Sequence, residues 1–271
     1  MTRCHRISTM DTKSSDLLAS PTDYFRLDGL TVLVTGASSG LGDRFARLVH
    51  SVGATVVVAA RRAERLAALA AELPGTLAIT ADLSQADDRE RLAAEALDRV
   101  GTIDVLVNNA GVGGGVAIED ETVEQFRASM ELNTTAVWHM SKLCAPAMIA
   151  KGSGSIINIA SIMGHVASAP LKESHYCASK GAVVNLTREM AVQWARKGVR
   201  VNALCPGFFL SEMTAGMDTD PGSQKFITSN CPIPRLGHAH ELDAALLFLA
   251  GRGSTFYTGQ SLIVDGGWTA R

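Results

Sequence analysis

The 271-residue chain contains no run of the ~18 apolar residues that a membrane-spanning helix needs. Residues 1–25 also lack the uninterrupted apolar segment of ~7 to 15 residues that marks a secretory signal, and they carry Ser, Thr, Asp and Lys without periodicity. We therefore expect a soluble, cytoplasmic protein that makes no membrane contact, with residues 1–25 forming a flexible N-terminal extension.

The chain has neither a strong charge imbalance nor a cysteine motif. Its formal net charge is −2 at pH 7 and no basic cluster occurs, which argues against a nucleic-acid partner. The cysteines are odd in number, scattered and without C-x-x-C spacing, so we expect reduced thiols and no metal site. His238 and His240 with Cys231 are the one set that resembles metal ligands, and we interpret them as surface residues. The five cysteines are Cys4, Cys144, Cys177, Cys205 and Cys231.

Short β-branched segments alternate with longer helical patterns from residue 30 onward. The strand candidates are near-continuously apolar, as expected for strands that are covered on both faces. This alternation predicts an α/β fold with a Rossmann-type doubly wound parallel sheet, in a single domain over residues 26–271. The predicted strands are 30–34, 54–60, 76–80, 103–107, 154–160, 199–204 and 261–264.

One long segment, residues 206–237, has no clear periodicity. A long irregular segment in a compact domain is typical of a functional lid, so we predict a substrate-binding lid here. The segment is rich in Phe and Met and poor in basic residues, which favours a neutral, partly apolar substrate. The apolar side chains expected to line its pocket are Phe208, Phe209, Met213, Met217 and Phe226.

A glycine-rich turn, TGASSGLG, follows the first predicted strand and precedes a helical pattern. Glycines let the backbone turn sharply and approach a pyrophosphate, and a helix N-terminus offers free N–H groups to an anion. The turn therefore predicts a dinucleotide site. Its expected cofactor-binding residues are Gly36, Ser38, Ser39, Gly40, Leu41 and Gly42.

The ends of the next three strands extend this predicted site. Where an acidic residue would hold the adenosine ribose hydroxyls, the second strand ends in neutral Ala60, followed by Arg61 and Arg62. We expect Arg61 to contact a ribose 2′-phosphate, with Arg62 and Ser38 assisting, and hence a preference for NADP over NAD. The third and fourth strand ends add Asp82, Leu83, Asn109 and Gly111.

The segment SHYCASKGAV places Tyr176 and Lys180 four residues apart, on one side of a helix. A nearby cation favours the phenolate, so Lys180 and the positive charge of an oxidised nicotinamide are together expected to bring the pKa of Tyr176 down toward the operating pH. Ser161, with His165 and His175 nearby, could alternatively suggest a hydrolase triad. No G-x-S-x-G turn surrounds the serine, and we interpret both histidines as loop or pocket-wall residues.

Together these motifs resemble the short-chain dehydrogenase/reductase family from about residue 28 onward. The resemblance rests on TGxxxGxG at 35–42, NNAG at 108–111, a serine at 161, YxxxK at 176–180 and PG at 206–207, in the family's order. Two departures stand out. Fourteen residues separate Ser161 from Tyr176, which is more than the family usually has, and Ser211 stands where the family prefers threonine.

The resemblance implies a role for each matching residue. Tyr176 would be the general acid or base, Lys180 would hold the nicotinamide ribose, Ser161 would bind the substrate oxygen, and Asn133 would position a relay water. Pro206, Gly207, Phe209 and Ser211 would contact the nicotinamide end. Two long helical stretches, 121–150 and 174–197, carry apolar residues on more than one side and, with the resemblance, predict a homotetramer or otherwise a dimer.

The sequence thus predicts an oxidoreductase that transfers a hydride between NADP(H) and a ketone or secondary alcohol. Two alternatives remain open at this point. The chain could be an NAD-dependent polyol dehydrogenase, or a nonenzymatic dinucleotide-binding sensor on the same fold. For the NADP(H)-dependent oxidoreductase and for the polyol dehydrogenase, the expected partner is a small-molecule carbonyl or alcohol.

Overall fold

The structure, a computed structural model, describes residues 20–270, and each of the seven predicted strand segments overlaps a strand in it. In chain order, β1 to β7 are Thr31–Thr35, Thr55–Ala60, Leu77–Thr80, Val105–Asn108, Gly154–Ile159, Val199–Pro206 and Ser261–Val264.

All seven strands form one parallel sheet in the order β3-β2-β1-β4-β5-β6-β7. The order reverses direction between β1 and β4, where Val32 pairs with Val105 and Val34 with Val107. In open α/β sheets such a switch point leaves a crevice beyond the carboxyl ends of the strands. The predicted doubly wound architecture is confirmed, and it places β1 and β4 side by side beneath that crevice.

Helices cover both faces of the sheet. In chain order, α1 to α8 are Gly40–Ser51, Ala63–Glu72, Ala86–Val100, Val123–Met130, Ala136–Lys151, Ser174–Trp194, Pro221–Asn230 and Asp243–Ala250. Buried apolar residues of α1, α2 and α8 form one core with the sheet, and those of α3, α5 and α6 form the other. Covering on both faces is why the central strands are apolar at nearly every position.

A π-helical turn, Glu131–Thr135, joins α4 to α5 and carries Asn133 inward. Buried Arg89 on α3 anchors this turn: its Nη1 donates to Glu131 Oε1 at 2.7 Å and to the Leu83 carbonyl at 2.8 Å. A single π-helical turn widens the helix locally and often occurs at functional sites. The sequence pattern predicted one continuous helix over 121–150 and did not reveal this widening.

The predicted lid, residues 206–237, is less irregular than its sequence suggests. It contains the end of β6, a short 3₁₀ turn at Glu212–Thr214 and the whole of α7. Helix α7 begins with Pro221 in its first turn, and the Asp220 carboxylate accepts from the Ser223 N–H at 2.7 Å, which satisfies a free donor of that turn.

Most of the predicted N-terminal extension, residues 1–19, lies outside the described residues. The part that is described, from Ser20 onward, differs from the expected flexible chain. Pro21–Phe25 form a short 3₁₀ helix, and Ser20 and Asp23 make the reciprocal side-chain to backbone bonds of a capping box at its start.

Within residues 20–270, no helix is both long enough and apolar enough to cross a membrane.

Candidate active site

A cleft of about 510 Å³ lies at the carboxyl ends of the strands, above the switch point between β1 and β4. Residues from the glycine turn, from the ends of β2 to β6 and from the predicted lid line it. Of the predicted cofactor-binding residues, all except Gly42 line this cleft. Of the four predicted catalytic residues, Ser161, Tyr176 and Lys180 line it and Asn133 lies behind its wall.

The glycine turn packs directly on the end of β4. A Cβ atom at Gly42 would lie 2.3 Å from the Gly36 carbonyl oxygen, and one at Gly36 would lie 2.8 Å from the Ala110 Cα. Gly36 and Gly40 also have positive φ angles, of 67° and 57°. Gly42 therefore shapes the turn from behind without touching the cleft, which is why it is absent from the lining.

The residues present fit a dinucleotide pyrophosphate. Helix α1 begins at Gly40, and the Ser39 side chain does not cap it, so the first N–H groups of this helix stay available to an anion. Asn109 holds the turn in place, because its Nδ2 donates to the Thr35 carbonyl at 2.9 Å and its backbone N–H donates to Thr35 Oγ1 at 3.0 Å.

Ser161, Tyr176 and Lys180 come from two elements that meet beyond β5. Ser161 follows that strand and begins a 3₁₀ turn, Ile162–Gly164, where its hydroxyl accepts from the Met163 N–H at 3.1 Å. Tyr176 and Lys180 lie on α6, with the Lys180 Nζ 5.6 Å from the centre of the Tyr176 ring. The Ser161 hydroxyl is a hydrogen-bond partner of the Tyr176 phenol.

Burial governs the charges of this pair. It raises the pKa of Tyr176 to about 12, although the hydrogen bond with Ser161 opposes this, and it lowers the pKa of Lys180 to about 8. Lys180 is 4% exposed and its Nζ donates to the Ile159 carbonyl at 2.8 Å. The lowered pKa that the sequence led us to expect for Tyr176 included the charge of a bound oxidised nicotinamide. In the chain by itself the pKa is raised instead, because desolvation of the phenolate outweighs the hydrogen bond with Ser161.

Asn133 is completely buried and supports the cleft wall from behind. Its Oδ1 accepts from the Val112 N–H and its Nδ2 donates to the Val112 carbonyl, both at 2.8 Å. Its Nδ2 also donates to the Ser179 hydroxyl at 3.0 Å. Through these bonds Asn133 connects the segment after β4 to the helix that carries Tyr176 and Lys180.

The histidines beside the site do not form a triad with Ser161. The His165 Nε2 lies 3.5 Å from the Cys205 Sγ, and His175 Nδ1 pairs with the buried Glu121 carboxylate. Burial also lowers the pKa of His165. Neither histidine lines the cleft. His165 follows the 3₁₀ turn Ile162–Gly164, as the loop interpretation expected, and His175 lies in the first turn of α6.

The two arginines after β2 have different surroundings. Both line the cleft and are exposed, but among residues 20–270 Arg61 makes no hydrogen bond or ion pair. Arg62 instead donates from Nε to the Ser38 hydroxyl at 3.0 Å and pairs with the carboxylate of Glu212. Sequence reasoning missed Glu212, because its partners are far away along the chain and no local pattern connects them.

The apolar residues of the predicted lid divide into two groups. Phe209 and Met213 line the cleft, in agreement with the expectation. Phe208 and Phe226 pack instead against Trp268, with ring centres 4.8 Å and 5.4 Å from that of the indole. Met217 lies outside the cleft lining, so the pocket is less apolar than the composition of the segment suggests.

Cys231, His238 and His240, the set that resembles metal ligands in the sequence, do not form a metal site in the described residues. Within the described part of the chain, no three His, Cys, Asp or Glu side chains lie close enough together to hold a metal ion. His238 and His240 stack on each other, with ring centres 5.6 Å apart, and the His238 side chain takes part in a capping box at the start of the following turn.

Known proteins share this architecture over nearly the whole chain. A family model described as enoyl-(acyl carrier protein) reductase matches residues 36–269. Galactitol 2-dehydrogenase (L-tagatose-forming) of Cereibacter sphaeroides is 39% identical over 250 residues, which are 90% of this chain and 97% of the relative. Gluconate 5-dehydrogenase of Gluconobacter oxydans is 38% identical over 251 residues, 91% of this chain and 97% of the relative.

Solved structures agree with these relatives. A short-chain type dehydrogenase/reductase from Mycobacterium marinum superposes with a TM-score of 0.88 at 35% identity, over 93% of this chain and 100% of the other. A gluconate 5-dehydrogenase from Burkholderia cenocepacia, in complex with NADP and tartrate, superposes with a TM-score of 0.87 at 36% identity, over 92% and 98%. The chain belongs to the short-chain dehydrogenase/reductase family and is an oxidoreductase that acts on CH–OH groups.

Proposed function

We propose that the protein interconverts a secondary alcohol and its ketone with NADP(H), and that Tyr176 is the general acid or base. The observation that carries this proposal is the meeting of Ser161, Tyr176 and Lys180 on one wall of the cleft whose other end fits a pyrophosphate. A nonenzymatic sensor would not need an acid, its hydrogen-bonding serine and a buried lysine at that position.

In this proposal the nicotinamide supplies or accepts the hydride when it is bound. Ser161 holds the substrate oxygen beside the Tyr176 phenol. Tyr176, whose raised pKa keeps it protonated at neutral pH, donates its proton to that oxygen during reduction and takes it back during oxidation. Lys180 places a positive charge near the phenol oxygen when it is protonated and stabilises the phenolate that forms.

A polyol or sugar acid is the substrate class we propose. Two relatives that match this chain over more than nine-tenths of their own length are named for galactitol and gluconate. The cleft wall beside Tyr176 includes Gly113 and Met213, whose Sδ would lie 3.3 Å from a Cβ at Gly113. This combination of open backbone and one flexible side chain leaves room for an extended chain of carbon atoms.

The charge at the adenosine end supports NADP(H) over NAD(H). Ala60 at the end of β2 is neutral and buried, so no carboxylate there repels a phosphate. Arg61, Arg62 and Ser38 line that end of the cleft. Because Arg62 already binds an anionic group in the structure, we assign it a larger share of phosphate binding than its neighbour.

Substitution Tyr176→Phe tests the catalytic assignment. It removes the transferable proton and keeps the ring, so we expect turnover to fall by ~10² to 10⁴ while cofactor affinity changes little. The measurement is NADPH oxidation against a panel of ketoses and keto acids. Tyr24→Phe and Tyr257→Phe, which lie outside the cleft, serve as matched controls and should retain full activity. Cofactor binding without turnover on any substrate would favour the sensor, and an active Tyr176→Phe enzyme would refute the assignment.

The pH dependence of carbonyl reduction tests the role of Lys180. Because the pKa of Lys180 is lowered to about 8, the side chain is positive below that pH and neutral above it. We expect kcat/KM for reduction to decline by up to ~10-fold per pH unit above this value, as the charge that stabilises the phenolate disappears. Lys180→Arg keeps its charge and should move the decline to higher pH. Identical profiles for the two enzymes would contradict this role.

Cofactor preference is tested by the ratio of kcat/KM for NADPH to that for NADH. We expect the ratio to favour NADPH in the wild type, and to fall about 10-fold or more in Arg62→Ala and Ala60→Asp, with a smaller fall in Arg61→Ala. Arg99→Ala, an exposed arginine on α3 outside the cleft, is the control and should leave the ratio unchanged. A wild-type preference for NADH would overturn the proposal.

We propose a homotetramer, or otherwise a dimer, because the helices at one side of the molecule leave large apolar side chains exposed. Val123 and Phe126 on α4, Trp138 on α5 and Val192 on α6 are 58%, 38%, 45% and 78% exposed. Light scattering at micromolar concentration should show an oligomer, and Trp138→Glu should shift it toward smaller species, because a carboxylate would replace an apolar ring and lose its hydration at the proposed interface. A wild-type monomer would contradict the assembly.

A further inference from the structure

Glu212 lines the cleft at the end that we assign to the adenosine ribose. It follows Ser211 in the predicted lid and begins the short 3₁₀ turn Glu212–Thr214. Its carboxylate meets Arg62 in a bidentate pair, Nη1 to Oε1 and Nη2 to Oε2, both at 3.0 Å. Arg65 adds a third bond to Oε1 at 3.1 Å. The lid is therefore connected to the start of α2 by a network of charges.

The glycine turn completes this network. The Ser39 hydroxyl donates to Glu212 Oε2 at 2.5 Å and accepts from the Arg62 Nη2 at 2.5 Å. A Cβ atom at Gly40 would lie 3.7 Å from the Glu212 backbone nitrogen, so the lid turn rests on the N-terminus of α1. The carboxylate of Glu212 thus accepts hydrogen bonds from Ser39 in the glycine turn and from Arg62 and Arg65 at the start of α2 at the same time.

Glu212 is anionic at neutral pH. The hydrogen bonds from Arg62 and then Ser39 lower its pKa to about 2. A ribose 2′-phosphate, with a charge of about −1.5 to −2 at pH 7, would need the same arginine and the same serine hydroxyls. A ribose hydroxyl needs neither, because it is neutral. The two nicotinamide cofactors therefore differ in whether they must disturb Glu212.

We propose that Glu212 is a specificity-determining residue that acts as an internal competitor of the 2′-phosphate for Arg62 and Ser39. The inference rests on the proposed function and deepens it. NADP(H) must displace the carboxylate or share the arginines with it, whereas NAD(H) leaves the pair intact. Glu212 therefore weakens the preference for NADP(H) that Ala60 and the arginines create.

The test is calorimetric binding of NADP⁺ and of NAD⁺ to the full chain, without any substrate. Glu212→Gln keeps the size of the side chain and removes the charge, and should tighten NADP⁺ binding by about 3- to 10-fold while NAD⁺ binding changes less than about 2-fold. Asp218→Asn is the matched control, because it removes the same charge from an exposed position of the same lid and should change neither constant.

A double-mutant cycle with Arg62→Ala assigns the effect to this pair. In the Arg62→Ala background, Glu212→Gln should tighten NADP⁺ binding less than it does in the wild type, because the contested donor is gone. An unchanged or weaker NADP⁺ affinity in Glu212→Gln, or an equal gain for both cofactors, overturns the inference.

Binding separates this inference from the proposed function. NADP⁺ binding that tightens in Glu212→Gln, without turnover of any alcohol or ketone, supports the inference and refutes the proposed reaction. Turnover of an alcohol or ketone by the wild type, with an NADP⁺ affinity that is unchanged in Glu212→Gln, supports the proposed reaction and refutes the inference. Absence of NADP⁺ binding in both the wild type and Glu212→Gln refutes both.

Discussion

The close approach of the glycine turn to the end of β4 is the constraint on which the rest of the site depends. Adjacent parallel strands place the residues after β1 and β4 in contact, so that a Cβ atom at Gly36 would lie only 2.8 Å from the Ala110 Cα. The Thr35 hydroxyl and the Asn109 amide then fix the two segments together by hydrogen bonds. With this junction fixed, α1 points its N-terminus into the crevice, and the cleft has one end suited to phosphate.

The same segment after β4 also determines the other end of the cleft. A Cβ atom at Gly111 would lie 3.1 Å from Asn133 Oδ1 and 3.5 Å from Lys180 Nζ, so this glycine lets the π-helical turn and α6 approach the sheet end closely. The π-helical turn directs Asn133 to the backbone of Val112. One stretch of chain therefore positions both the end of the cleft that fits a pyrophosphate and the end that holds Tyr176 and Lys180, which explains why NNAG is so informative a motif.

The sequence predicted the features that short residue patterns determine, which are the strands and the motif residues of the cleft. β-Branched runs identified the seven strands of the described residues with boundaries that differ by at most two residues, and the motifs correctly predicted that Ser161, Tyr176 and Lys180 share one cleft. It did not predict features that depend on distant partners. The different surroundings of Arg61 and Arg62 follow from Glu212, which is 150 residues further along the chain than Arg62. The pKa of Tyr176 follows from burial, which no pair spacing reveals.

Burial that penalises the charges of Tyr176 and Lys180 separately can favour the two charges together. An isolated phenolate and an isolated ammonium both lose hydration in this site, which is why the pKa of Tyr176 rises to about 12 while that of Lys180 falls to about 8. In the reaction that we propose, Tyr176 gives its proton to a substrate oxygen and the phenolate forms beside a protonated Lys180. The low polarity that opposes each charge alone then strengthens their attraction. The site thus keeps the tyrosine protonated at rest and lowers the cost of its ionisation only while the lysine carries its charge.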